Sequence, residues 1–189
     1  DLATARALSS MEDIIKYADE LYKRRFFAYA TKVYKKIMET YPDSKYGKLA
    51  SWKMLLHNVS RNESLDLQSI QNIFNNQISG SEEEVVDQYI QIGDILFNSG
   101  SFRRAKDIYQ YIDNELPVDN NSVFALEGLV KSCINLKNYE EANEIVSKIK
   151  QSSFDKEHVQ QVLFSIAEEY SLAEHNDEAE AIYDYILNE

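Results

Sequence analysis

Apolar residues recur along the chain at three- and four-residue spacing, in blocks of roughly a dozen positions divided by short polar or aromatic breaks. The clearest pair of blocks covers residues 86–119. Tyr89, Ile92, Gly93 and Leu96 make one helical stripe, Ser99-Gly100-Ser101-Phe102 interrupts it, and Ala105, Ile108, Tyr109 and Ile112 make a second. The pattern predicts a helical hairpin. Small Gly93 and Ala105 are expected to let the two backbones approach, and Phe102 to close the turn. Pro117 ends the second helix, because proline has no N–H to donate and its ring collides with the preceding turn.

The hairpin recurs. Pro42 and Pro117 stand 75 residues apart, and Ala30, Tyr34 and Ile37 precede the first at the offsets at which Ala105, Tyr109 and Ile112 precede the second. A step of 37 from Ala105 reaches Ala142, with Val146 and Ile149; a further 37 reaches Ala179, with Tyr183 and Ile186. A diverged copy falls between the first two, around Trp52 to Gln77. The expected organisation is five units, about 11–44, 45–80, 81–119, 120–154 and 155–189, after an N-terminal extension or partial helix over 1–10. Ser81 with Glu82-Glu83-Glu84 reads as a capping box, and Asp43, Ser122 and Asp155 as caps of the following helices.

In the first unit Ile14, Tyr17, Ala18 and Leu21 precede Phe27, Ala30, Tyr34, Ile37 and Pro42. The fourth unit has Leu126, Leu129, Val130 and Cys133 before Tyr139 and Ala142, and the fifth has Leu163, Ile166, Ala167 and Tyr170 before Ala179. The second departs, with Leu56 at the small position and extra residues in Arg61-Asn62-Glu63-Ser64. This arrangement resembles the tetratricopeptide repeat. The resemblance implies an all-α fold, a single right-handed α-solenoid of about five hairpins over 11–189, whose concave face grips peptides or helices of partners. The positions that face such a groove fall on Ile15, Asp19 and Tyr22, on Lys53 and His57, on Asp87, Ile90, Asp94 and Phe97, on Phe124, Glu127, Lys131 and Ile134, and on Phe164 and Glu168. Their apolar members with acidic neighbours suit an amphipathic or basic-apolar protein segment; the competing expectation is that neighbouring repeats bury them. The Lys, Asn and Arg set that clamps a peptide carboxylate in some relatives of this kind is missing, with Ile15, Asp19, Met54, Asp87 and Gln91 in its place.

Composition narrows the function. A formal charge of −12 on 189 residues opposes nucleic acid and anionic lipid surfaces. No apolar run approaches the roughly 20 residues that cross a bilayer, so direct membrane insertion is not expected. Cys133 sits at a core position, and His57, His158 and His175 have no ligand spacing, the last two reading as exposed helix-start and turn residues. Isolated glycines offer no phosphate loop. No catalytic, cofactor or metal site is expected, and the chain reads as a non-enzymatic scaffold. The alternatives are a structural spacer or oligomerisation arm of a longer protein, its groove packed by its own N-terminal segment or by a second copy as a homo-oligomer, with Leu2, Leu8 and Met11 docked inside, and a cytoplasmic adaptor. The stretch Ala30 to Tyr46, with Tyr41-Pro42-Asp43-Ser44, also resembles the repeat ends of bacterial outer-membrane assembly lipoproteins and periplasmic cell-division coordinators. That resemblance implies a place in the bacterial cell envelope.

Overall fold

Each apolar stripe forms a helix in the computed structural model, which describes residues 2–61, 65–77 and 82–188, without the side chains of 2–9, 76–77 and 82–83. Ten α-helices and no strand occur among the described residues: α1 Leu2–Lys23, α2 Phe27–Thr40, α3 Lys45–Arg61, α4 Leu67–Gln77, α5 Glu82–Asn98, α6 Phe102–Glu115, α7 Ser122–Asn135, α8 Tyr139–Lys150, α9 Lys156–Leu172 and α10 Asn176–Asn188. The architecture is all-α and helical-repeat-like, with one helix pair in each stretch where the pattern places a unit. Helix α1 takes in most of the expected extension over 1–10. The expected cap Ser81, the Asn62-Glu63-Ser64 turn and the side chains of Leu2, Leu8, Glu82 and Glu83 lie outside the described residues.

The helices belong to two units, residues 1–79 and 80–189. In the first, α1 packs on α2 and α3, and the core gathers Ile15, Ala18, Ala30, Tyr34, Ile37, Tyr46 and Ala50. Trp52 of α3 meets Phe74 of α4 edge-on, with ring centroids 6.3 Å apart. In the second, α5, α7 and α9 lie in a row, each against the next, while α6, α8 and α10 pair with them. Tyr89, Ile92, Leu96, Ala105, Tyr109, Val130, Cys133, Ala142, Leu163, Ile166 and Tyr170 fill this core and are buried. Burial pushes the Cys133 thiol up to about 11, which suits an inert packing residue.

The turns within the hairpins repeat in atomic detail. Arg25, Gly100, Lys137 and Glu174 have φ of 65°, 79°, 61° and 63°. They stand 75, 37 and 37 residues apart, the same separations as Ala30, Ala105, Ala142 and Ala179, so the left-handed residue keeps the phase of the repeat. At each, two N–H groups close the helix end: Arg25 to the Tyr22 carbonyl and Phe26 to that of Leu21; Gly100 to Phe97 and Ser101 to Leu96; Lys137 to Ile134 and Asn138 to Cys133; Glu174 to Ser171 and His175 to Tyr170. This doubled closure is the Schellman arrangement, which glycine favours because it has no Cβ to collide with the backbone. Only one of the four turns has it.

Helix starts correct part of the expectation. Asp155 accepts from the N–H groups of Glu157 and His158 at 3.0 and 3.3 Å, as a cap should. Ahead of α3, Ser44 rather than Asp43 does this work, its Oγ accepting from Gly47 N–H at 3.0 Å, because Asp43 lies one residue too early. Ser122 acts with Asp119: each accepts from the other's N–H, at 3.0 and 2.9 Å. Asp66, which the pattern did not suggest, accepts from Ser69 N–H at 2.8 Å at the start of α4.

Gly93 corrects another expectation. A Cβ there would lie 2.4 Å from the Tyr109 ring, so the missing side chain makes room for an aromatic ring and not for a neighbouring backbone. Gly128 of α7 does the same from the other side, at 2.3 Å. Tyr109 is thereby held between α5 and α7.

Candidate functional site

Helix geometry explains why the expected lining residues converge. On α5, Asp87, Ile90, Gln91, Asp94, Phe97 and Asn98 follow three- and four-residue steps and share one stripe; Phe124, Glu127, Gly128 and Lys131 of α7 do likewise, with Asn121 just ahead of that helix in the same phase. The two stripes and the Tyr109 ring enclose a pocket of about 540 Å³ within the second unit. Seven of the expected residues line it: Asp87, Ile90, Asp94, Phe97, Phe124, Glu127 and Lys131.

The pocket floor is anchored. Tyr109 O–H donates to Asp94 Oδ1 at 2.7 Å, and Asn121 Nδ2 donates to Asp87 Oδ1 at 2.9 Å across the two helices. Lys131 is already engaged, paired with Glu127 at 2.7 Å and donating to Ser165 Oγ of α9 at 2.7 Å. The pocket therefore sets three carboxylates against one ammonium, and that ammonium is committed. Burial holds the Asp94 carboxyl above its ordinary value, with the Tyr109 bond opposing and the Glu127 charge adding to the rise. Phe97 leans edge-on against Phe102 at 5.1 Å, and Phe124 against His158 at 5.4 Å, which fixes both rings while leaving each half-exposed. Residues 80–189 also carry most of the acidic residues of the chain, so the field around the pocket is negative.

The other expected residues go elsewhere. Ile15 and Ile134 are 5% and 2% exposed and belong to the cores, because their helix faces turn inward. Phe164 is 51% exposed and packs on Tyr183 at 5.6 Å, and neither it nor the exposed Glu168 lines the pocket. In the first unit Asp19 accepts a short bond from Tyr34 O–H and pairs with Lys53 at 3.3 Å, while Tyr22 Oη and His57 Nδ1 are 3.2 Å apart. Burial and then the Arg61 charge lower the His57 pKa. Asp19 with Tyr34 and Lys53, and Tyr22 with His57, are therefore paired within the first unit. His158 and His175, expected exposed, are half-buried instead; His175 stacks on Tyr139 at 3.7 Å and meets Glu178 at 3.2 Å.

Sequence reasoning did not place Gln91, Asn98, Tyr109, Asn121 and Gly128 in the pocket lining. Tyr109 read as core, and Gly128 as an isolated helix glycine. Their signal was the pair of glycines, Gly93 on α5 and Gly128 on α7, both facing the Tyr109 ring between them. The Tyr–Asp bond had a signal as well, since Tyr34–Asp19 and Tyr109–Asp94 share the same spacing of 15 residues. Among the described residues no group of His, Cys, Asp and Glu is placed to hold a metal ion, and no helix is long and apolar enough to cross a membrane. No protein-family model, curated protein or solved structure matches the chain.

Proposed function

We propose that the chain is a non-catalytic protein-interaction scaffold of tetratricopeptide-like repeats, and that the α5/α7 pocket holds a basic-apolar segment of a partner protein. One observation carries the reading: three carboxylates face one committed ammonium between two half-exposed phenylalanines. Asp94 is open to solvent, and an incoming lysine or arginine supplies the counter-charge that Lys131 alone does not give to Asp87, Asp94 and Glu127. Ile90, Phe97 and Phe124 offer apolar area for the residue beside it, worth about 25 cal/mol per Å² removed from water. Partner steering by the acidic second unit favours the same sign. A place for this scaffold in the bacterial envelope rests on the Tyr41-Pro42-Asp43-Ser44 resemblance.

The test is selection from a displayed random peptide library, followed by titration of the enriched peptides. Enrichment of Lys or Arg next to an aliphatic or aromatic residue is expected, with affinity falling tenfold or more for Asp87→Asn/Asp94→Asn and for Phe97→Asp. Phe164→Ser, outside the pocket, should bind as the parent does. Acidic selected peptides, or equal binding by the pocket variants, would overturn the reading.

A further inference from the structure

The first unit carries a second groove, unrelated in composition to the pocket above. It lies between α1 and α2, encloses about 550 Å³, and is walled by Met11, Ile14, Tyr17, Leu21, Tyr29 and Val33. Tyr17, Tyr29 and Tyr41 around it are 62%, 67% and 48% exposed. At about 200 Å² a ring, they leave roughly 350 Å² of aromatic surface in water, the size of patch that marks an interaction site.

The charges on this face are mainly acidic on α1, where Arg24 pairs with Glu20, and mainly basic on α2, where Glu39 is the exception. On α1, Asp13 and Glu20 lie beyond Tyr17; on α2, Lys32 and Lys36 line the groove beside Tyr29, and the exposed Glu39 follows one turn after Lys36. Glu20 shares its charge with Arg24 at 2.7 Å, while the structure gives Asp13, Lys32 and Lys36 no ion pair among the described residues. An anionic membrane or a uniformly acidic partner would meet Asp13 and Glu20 with repulsion. A surface with an acidic edge and a basic edge around an apolar centre complements itself.

We infer that this face pairs two copies of the chain about a two-fold axis running along the helices. Such an axis lays α1 of one copy over α2 of the other. Because the chain turns at residues 24–26, Asp13 stands level with Lys36 and Glu20 close to the level of Lys32, at 1.5 Å of rise per residue. The pairing therefore sets Asp13 against the second copy's Lys36 and Glu20 against its Lys32, twice over, with the tyrosines between. The other in-plane axis, across the helices, would bring α1 onto α1 and place Asp13 against Glu20. Charge selects the first arrangement.

The experiment is sedimentation of the whole chain over a concentration series, with on the order of 100 µM at the top, where a modest interface of this kind associates. A monomer–dimer equilibrium is expected. Tyr17→Asp/Tyr29→Asp should be monomeric with unchanged circular dichroism, since both rings are mostly exposed. The decisive arm uses two charge variants, Lys32→Glu/Lys36→Glu and Asp13→Lys/Glu20→Lys. Each alone should lose at least tenfold in dimer affinity, and an equimolar mixture should recover a mixed dimer. A chain monomeric throughout, association that grows past the dimer, or a dimer indifferent to these variants would overturn the proposal. So would charge variants that fail to recover on mixing.

Discussion

Replacing Gly128 by alanine sets two effects against each other. In an exposed helix interior the change stabilises by about 1 kcal/mol, because alanine loses less backbone freedom. Here the new Cβ would lie 2.3 to 2.6 Å from three atoms of the Tyr109 ring, which is 1% exposed. Relief needs a ring shift of about 1 Å to reach ordinary contact near 3.5 Å. The ring has nowhere to go: Gly93 presses from the opposite side, and the hydroxyl is tied to Asp94 at 2.7 Å. Overpacking of this kind costs about 1–3 kcal/mol, and the trapped ring points to the upper end. The net expectation is a loss of about 2 kcal/mol, or a fall in Tm of about 4–8 °C for a chain of this length. Urea and thermal unfolding followed by circular dichroism measure it. In a Tyr109→Leu background the clash is gone, so Gly128→Ala should become neutral or stabilising, and the double-mutant cycle isolates the ring contact. A rise in midpoint for Gly128→Ala alone would refute the reasoning, since helix propensity would then have outweighed packing.

Lys137→Gly should stabilise by about 0.5–1 kcal/mol in thermal unfolding, because it removes a Cβ from a left-handed residue and keeps the two backbone bonds of that turn. Asp94→Asn retains an acceptor for Tyr109 and removes a carboxylate that burial holds above its ordinary value. The native state keeps that proton to higher pH than the unfolded chain, so Asp94 costs stability above its raised value and nothing below its unfolded one. The variant should therefore melt above the parent at neutral pH, with the gap closing as pH falls, as paired melting curves would show. Cys133, fully buried and with its thiol raised to about 11, should alkylate only as fast as the second unit opens; rapid labelling of the native chain would contradict its place in the core.

The periodic stripes determined the helices by themselves. Three- and four-residue spacing of Ile, Leu, Tyr and Ala encodes one buried face, and that encoding is local, so the paired helices and their 37-residue phase could be read directly. The same phase put Asp87, Asp94, Phe97 and Phe124 on first-helix stripes, and those four do share the pocket. Which stripe stays open was not local information. Asp19 and Lys53 stand at comparable positions in the first unit yet cancel each other, because packing brings α1 and α3 together there. Ile15 and Ile134 were lost to the cores for a related reason: a one-position rotation on a helix is about 100°, enough to turn a groove residue inward.

Turn chemistry was only partly legible. Gly100 announces its left-handed turn, but Arg25, Lys137 and Glu174 adopt the same conformation without a sequence signal, because the hydrogen bonds of the closed helix end offset the strain. Tyr109 shows the general limit. Its phase marked it as apolar core, whereas its hydroxyl orders a pocket carboxylate and its ring decides why two glycines sit where they do. Sequence determines which faces want burial, since that depends on side-chain type and spacing. Which polar groups are left over after the faces meet depends on distances between residues far apart in the chain, and only the tertiary structure sets those.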